Sequence, residues 1–459
     1  MRVIQIPLLI FIVLLVVTPE LEGQGEDSLL LDFPSFSLRR DLEDYEFLKE
    51  RTEKGKGWQS LKYIPLSKQS WLSLGGNFRS ELQGLRNEDW TQGNDDKPVF
   101  LRFMFHGDLK FRQRFRLFTQ FKSAFAIGRN GPVLGLNEDR LDVHQLFLGL
   151  PIGNSTLEVG RRELWYGSRR LLSIREGTNV RHSFDGLRWI WENRKNRLDA
   201  LLYAYNPQRP GLLDNQISFD QLLWGIYYVR NCTHVDPMNF DLYYLGVRNR
   251  TTKFEEGSDR EVRHSWGFRH WGESGVFSYN TEFILQLGTF GIGQIRAWTL
   301  STELYLRLSD SAKIGLKTEV ISGDRDSEDG NLQTFNPLYP RGGYFGLLAV
   351  IGPANLLDFH PSVQFQVGKE WTIDFDWDIF WRYSLQDGIY FPSGRLNVAG
   401  TGSSERFIGH QFGVQIARPV NRFVEVQTSY FYFFAGSFLK DQTVGADFSQ
   451  FGLSLSYTF

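Results

Sequence analysis

The sequence predicts an all-β chain: a transmembrane antiparallel β-barrel of about eighteen strands, with short periplasmic turns and long extracellular loops. Three observations carry that prediction. The first is the run from Thr372 to Ser384. There Ile373, Phe375, Trp377, Ile379, Trp381 and Tyr383 alternate with Thr372, Asp374, Asp376, Asp378, Phe380, Arg382 and Ser384. A strand sends successive side chains to opposite faces, so this ribbon meets an apolar medium on one side and a polar one on the other. It is also longer than the usual strand of about five or six residues. The second is the closing run, where Phe451, Leu453, Leu455, Tyr457 and Phe459 oppose Gln450, Gly452, Ser454, Ser456 and Thr458. The third is the order of the connections, which the spacing makes alternately short and long, as membrane barrels require and soluble sandwiches do not.

Taken in order, residues 1–23 read as a signal peptide. The apolar run from Val3 to Val17 behind Arg2 is too short for a spanning helix, which needs roughly 20 residues. Residues 24–70 lack alternation and are expected to form a periplasmic N-terminal segment. Leu38 to Lys54 there reads as a short helix or loose stretch. The barrel is expected over 71–459, with strands near 71–83, 98–110, 113–125, 140–150, 154–162, 183–192, 196–205, 217–230 and 238–250. Nine more follow near 260–271, 275–287, 294–308, 311–322, 361–368, 370–384, 406–417, 421–434 and 448–459. Short connections include Pro151-Ile152-Gly153, Asn193 to Asn196, Gly272 to Gly275, Ser309-Asp310 and Arg418 to Asn421. Long ones cover 84–97, 126–139, 163–182, 206–216, 323–360, 385–405 and 435–447.

Composition agrees. Among 459 residues are 39 Phe, 18 Tyr, 13 Trp and 45 Gly, and mean hydropathy is −0.31, which suits an aromatic-girdled barrel and excludes a bundle of apolar helices. A single cysteine, Cys232, excludes an intramolecular disulfide. The net charge of −2 points to no nucleic-acid partner; the distribution of charge matters more than its sum.

With the aromatic face turned to lipid, the inward positions are charged and mixed in sign. They include Arg79 and Glu81; Arg102, His106, Asp108 and Lys110; Arg114, Arg116, Gln120 and Lys122; Glu158 and Arg162; Arg188 and Glu192; Glu282 and Gln286; and Lys317 and Glu319. An Arg or Lys on the lipid face would cost about 2–4 kcal/mol at midplane, so inward placement is required whatever the lumen does. The plain reading is a salt-bridged interior that braces the wall. One segment stands out: between Arg161 and Arg181 six arginines (161, 162, 169, 170, 175 and 181) accompany Glu163 and Glu176. Folded inward, their guanidinium groups would form a ring of the kind that selects anions, and arginine forks onto carboxylates.

That segment carries a family resemblance. Gly160-Arg161-Arg162-Glu163-Leu164, Tyr166-Gly167-Ser168-Arg169-Arg170-Leu171 and Asn179-Val180-Arg181-His182-Ser183-Phe184-Asp185-Gly186 resemble the signature of the alginate-export family of outer-membrane barrels. Ser322-Gly323-Asp324, Asp329-Gly330, Thr334 to Pro340, Tyr344-Phe345-Gly346, Lys62 to Leu66 and Phe380-Trp381-Arg382 before Asp387 to Tyr390 also fit. The resemblance covers about 58–459. It implies an eighteen-stranded porin of the bacterial outer membrane that passes an anionic polysaccharide such as alginate, by passive diffusion, through an arginine-rich constriction. By matching positions, Arg79, Arg102, Arg162, Arg169, Arg181 and Arg382 would be the pore cations, with Glu163 and Asp185 as acidic partners. The partners implied are the anionic polysaccharide, outer-membrane lipids and periplasmic polymer-secretion components. A general or differently selective porin is the alternative.

Weaker signals remain. A membrane-embedded hydrolase would need a nucleophile and base together, for which His182-Ser183 and His144 are candidates by type alone; no enzyme activity, cofactor or metal is expected. Asp324, Asp326, Glu328 and Asp329 before Gly330 loosely resemble a calcium loop, but position twelve is Phe335 instead of glutamate, so a solvated outer loop is expected there.

Overall fold

The computed structural model describes residues 33–459 apart from 51–56, 113, 133, 232–238, 327, 347 and 369. The expected signal peptide and Cys232 lie outside the described residues.

A strand in hydrocarbon has no water for its backbone amides, so only a closed sheet can span, and the chain closes one. A short strand β1 (Ile64–Ser67) leads into eighteen barrel strands. The first nine are β2 (Ser70–Arg86), β3 (Val99–Phe111), β4 (Phe115–Ile127), β5 (Asp139–Ile152), β6 (Ser155–Arg162), β7 (Phe184–Glu192), β8 (Asn196–Tyr205), β9 (Gln221–Arg230) and β10 (Asn239–Phe254). Then come β11 (Gly257–Ser274), β12 (Phe277–Phe290), β13 (Gly293–Ser309), β14 (Ala312–Ile321), β15 (Leu356–Val367) and β16 (Trp371–Arg382). After a loop hairpin of β17 (Ile389–Tyr390) and β18 (Leu396–Val398), β19 (Phe407–Pro419), β20 (Val424–Ala435) and β21 (Phe448–Thr458) complete the wall. All neighbours pair antiparallel, and β21 returns to β2, with Phe78 opposite Tyr457 and Leu82 opposite Leu453.

The faces fall as the alternation requires. Phe105, Phe121, Trp266, Phe283, Phe375, Trp377 and Phe412 are exposed on the outside, the side that meets acyl chains. Arg102, Gln120, Glu282, Asp378 and Arg382 are buried on the inside. Arg114 is an exception, lying in the turn before β4.

Two expectations are corrected. The connections do not alternate strictly, because β10–β11 and β12–β13 join on the outer side through the pairs 255–256 and 291–292. These four strands have 14 to 18 residues, against about 9–11 needed to span. They stand above the membrane as a wall, and its polar residues, such as Lys253, Ser258 and Asp259, read as loop.

The second concerns the N-terminal segment, expected in the periplasm. Its described part enters the barrel. Asp41 accepts from Arg162 Nη2 at 2.8 Å, its carbonyl accepts from Arg116 Nη2 at 2.7 Å, and Leu38 O accepts from Arg181 Nη1 at 3.2 Å. The pull is electrostatic: Arg39, Arg162 and Arg116 surround Asp41, and although burial opposes its charge they hold its carboxyl well below the usual range. At the periplasmic mouth the short helix α1 (Gln59–Lys62) buries Lys62 over the rings of Phe36, Tyr45 and Phe459. Gly75 and Gly76 make room: a Cβ on the first would lie 2.6 Å from Lys62 Nζ, and on the second 2.7 Å from the Phe459 ring.

Burial, then Arg40, pull the Lys62 ammonium down to about 7. Between that value and the ordinary lysine value of about 10.4 the unfolded chain holds a proton that the folded chain has released, so folding gains stability as the pH rises through this window. Urea unfolding in detergent should show that gain in the wild type and lose it in Lys62→Met.

Candidate lumen site

Four outer connections fold into the barrel. Residues 163–183 bring Leu164, Leu171 and Leu172; residues 322–355 bring Phe335, Leu338, Tyr339, Tyr344 and Phe345; residues 383–406 bring Ile389. The helix α2 (Ser437–Gln442) brings Phe438 and Leu439. With Phe184, Tyr203, Tyr227, Tyr243, Phe380 and Phe433 of the wall these side chains make one apolar core inside the outer half of the lumen. Burial at about 25 cal/mol per Å² of apolar surface holds such loops against the entropy of ordering them. The first two loops also bond to each other as parallel strands, by Tyr339 N to Leu171 O at 2.9 Å, Ser173 N to Tyr339 O at 2.8 Å and Arg341 N to Arg169 O at 3.0 Å.

Around that core the charges neutralise one another. Glu176, from the first loop, meets Arg79, Arg102 and Arg181, whose guanidinium groups converge on one carboxylate. Arg79 and Arg102 also donate to the carbonyls of Glu176 and Thr178. Burial would raise the Glu176 carboxyl, but Arg102, Arg181 and Arg79 outweigh it and hold it well below the usual range. Glu163 is fully buried between His144 Nε2 at 2.8 Å and Arg181 Nη1 at 3.3 Å. Arg162 is held by Glu158, Asp41 and the Phe147 ring, 4.6 Å away. Arg188 pairs with Glu158 and Asp199.

The expected site residues therefore separate. Arg79, Arg102 and Arg181 meet at Glu176, and Arg181 links them to Glu163. Asp185 pairs with Arg161 at 2.9 Å. Arg382 lies apart, fully buried, donating to the carbonyls of Leu385, Asp387, Gly400, Ser403 and Glu405 and stacked on Phe438. Arg169 differs from all of these. Its backbone is left-handed, with φ 68°, a conformation that a side chain-bearing residue adopts at a cost. Its guanidinium rests on the Trp165 ring at 4.4 Å and is half-exposed. It forms no ion pair among the described residues; its charged neighbours are the exposed Arg341, then Glu303 and Arg269. Burial, then Arg341, lower it to about 10, so it remains charged at neutral pH.

Sequence reasoning passed over Glu176, Asp41 and Arg341. The signal for Glu176 was present, as an acid within an arginine-rich run; Asp41 and Arg341 gave none. His182 is buried against Tyr205 and Tyr339, and among the described residues neither its Nδ1 nor Ser183 Oγ has a hydrogen-bond partner. Asp324, expected in a solvated loop, is buried and bonds through its amide to Asp387 Oδ2 at 2.9 Å. Burial pushes the Asp387 carboxyl up to about 6.

The alginate-export family pattern matches residues 70–449. The chain belongs to the alginate-export family. No curated protein sequence matches it. Among solved structures, the outer-membrane protein OpdK of Pseudomonas aeruginosa superposes with a TM-score of 0.59 at 12% identity, over 86% of this chain and 99% of that one. OccK2 (OpdF) of the same organism, in complex with glucuronate, gives 0.57 at 12% identity over 84% and 96%. At such identity the likeness shows the fold. This alginate-export family member is thus a bacterial outer-membrane channel.

Removing the shared carboxylate in Glu176→Gln leaves three guanidinium groups facing one another. For a half-buried carboxylate hydrogen-bonded to charged groups this costs about 1–2 kcal/mol. Equilibrium unfolding should register that loss, and proteolysis should cut the 163–183 loop faster.

Proposed function

We propose that the channel conducts an anionic saccharide of the alginate type, and that Arg169 and Arg341 select it. The observation that carries this reading is that pair. Two loops that cross the lumen are bonded backbone to backbone, so that two guanidinium groups are held near each other with no acid in ion-pair range of either among the described residues. Glu303 is the nearby acid, but it is already paired with Arg170, so like charges kept together with only a shared counter-charge suit an anion as a further partner.

The surroundings suit a uronate. Trp165 lies under Arg169, and Tyr305, close to Arg341, carries Lys313 over its ring at 4.8 Å. Aromatic faces against sugar rings and cations against carboxylates would bind each residue of a polymer weakly, as conduction requires. Arg79, Arg102, Arg162, Arg181 and Arg382, with Glu163 and Asp185, we assign to the frame that positions the loops, since their charges are already met by the protein. The polymer would come from periplasmic secretion components, and the direction of flow would follow its gradient.

Planar-bilayer recording tests the reading. Wild type should prefer anions and be blocked by short uronate oligomers, while Arg169→Ala/Arg341→Ala loses both properties and keeps an open conductance. Cation preference in the wild type, or block unchanged in the double variant, would overturn it.

A further inference from the structure

We infer that the lumen wall holds a site for one divalent transition-metal ion, ligated by Asp358, His360 and Asp378. This inference does not rest on the transport reading. Asp358 and His360 lie two apart on β15 and so share its inner face. Asp378 of β16 falls between the paired residues Phe359–Ile379 and Ser362–Asp376, which sets it opposite His360. One ligand atom of each residue lies within 4.8 Å of the other two. All three are at least nine-tenths buried, at 4%, 4% and 0% exposure.

The second observation is that one converging atom is unpartnered. His360 Nδ1 abuts Asp378 Oδ1, and beside them the buried Asp358 Oδ1 has neither a hydrogen bond nor an ion pair among the described residues. Buried polar atoms are otherwise almost always satisfied. The other oxygen of Asp378 accepts from Gln411 Nε2 at 2.9 Å, which fixes the carboxylate with its free oxygen turned toward His360. Such outer bonds are what orient metal ligands.

Charge points the same way. Arg170 is divided among Glu282, Glu303 and Glu319. Lys317, opposite His360 on β14, faces Asp358 and Asp376 but is shared with Glu303 across β13. Clustered buried carboxylates with so little counter-charge are costly, and a divalent cation removes the deficit.

The donor set names the class of ion. Calcium and magnesium take oxygen ligands, whereas imidazole with carboxylates suits zinc, manganese or iron(II). Three protein ligands leave a position open to water or an anion. The site lies beneath the lumen-crossing loop: the Gln411 amide that holds Asp378 also donates to Phe345 O at 3.2 Å. Bound metal would thus tie the wall to that loop.

The test uses the full-length folded barrel in detergent, stripped with chelator and then loaded with Zn²⁺ or Mn²⁺ before gel filtration. Wild type should retain one ion per chain, His360→Ala and Asp378→Asn should bind at least about tenfold more weakly, and the loop variant Asp326→Asn should bind as wild type does. Pulsed electron paramagnetic resonance on Mn²⁺-loaded wild type should show coupling to one imidazole nitrogen, a readout that needs no variant to fold. Substoichiometric retention, equal retention in all variants, or no nitrogen coupling would overturn the assignment.

Discussion

Every feature of this molecule follows from the closure of β2 on β21. Hydrocarbon offers the backbone no partner, so the ladder must run without an edge, and an edgeless sheet of eighteen strands encloses more space than its own side chains can fill. The period-two pattern then sends one set of side chains to lipid and the other into that space. The interior is charged because the exterior cannot be.

A charged interior has its own requirement. Arginines and acids taken from bulk water must find partners, or the cost of burial exceeds any gain from the fold. The chain meets this by bringing its loops inward. Glu176 arrives among Arg79, Arg102 and Arg181, Asp41 arrives beside Arg162, and Arg170 reaches Glu282, Glu303 and Glu319. Apolar residues on the same loops then pack together above these pairs. The frame is therefore made of wall and loops at once, and charge is least fully paired at Arg169 with Arg341 and at Asp358, where the proposed ligands would bind.

How much of this was legible depends on the range of the interaction. The faces of β16 and β21 could be read directly, because alternation is local to each strand. The tight outer hairpins at 255–256 and 291–292 were missed because strands above the membrane no longer need an apolar face, and Lys253, Ser258 and Asp259 broke the pattern. The entry of the N-terminal segment was missed for a different reason: Asp41 meets Arg162 across 121 positions of sequence, and no spacing rule reaches so far. Arg162 and Arg382 could be recognised as inward, but their partners are set by loop conformation. Of the trio only Asp378 was legible as inward; Asp358 and His360 fell in the connection read as 323–360, because β15 begins earlier than its alternation shows, and their meeting with Asp378 depends on the register of two strands.

The uneven treatment of charge has a consequence for life at the cell boundary. An outer membrane faces whatever water surrounds the cell, from nearly salt-free to brine. Buried ion pairs feel little of that change, whereas exposed charges are screened within about 10 Å at 0.1 M salt. The scaffold of this barrel should hold across the whole range, while the grip of Arg169 and Arg341 on a passing carboxylate should tighten in fresh water and slacken in saline. Ambient salinity would then tune passage without any moving part.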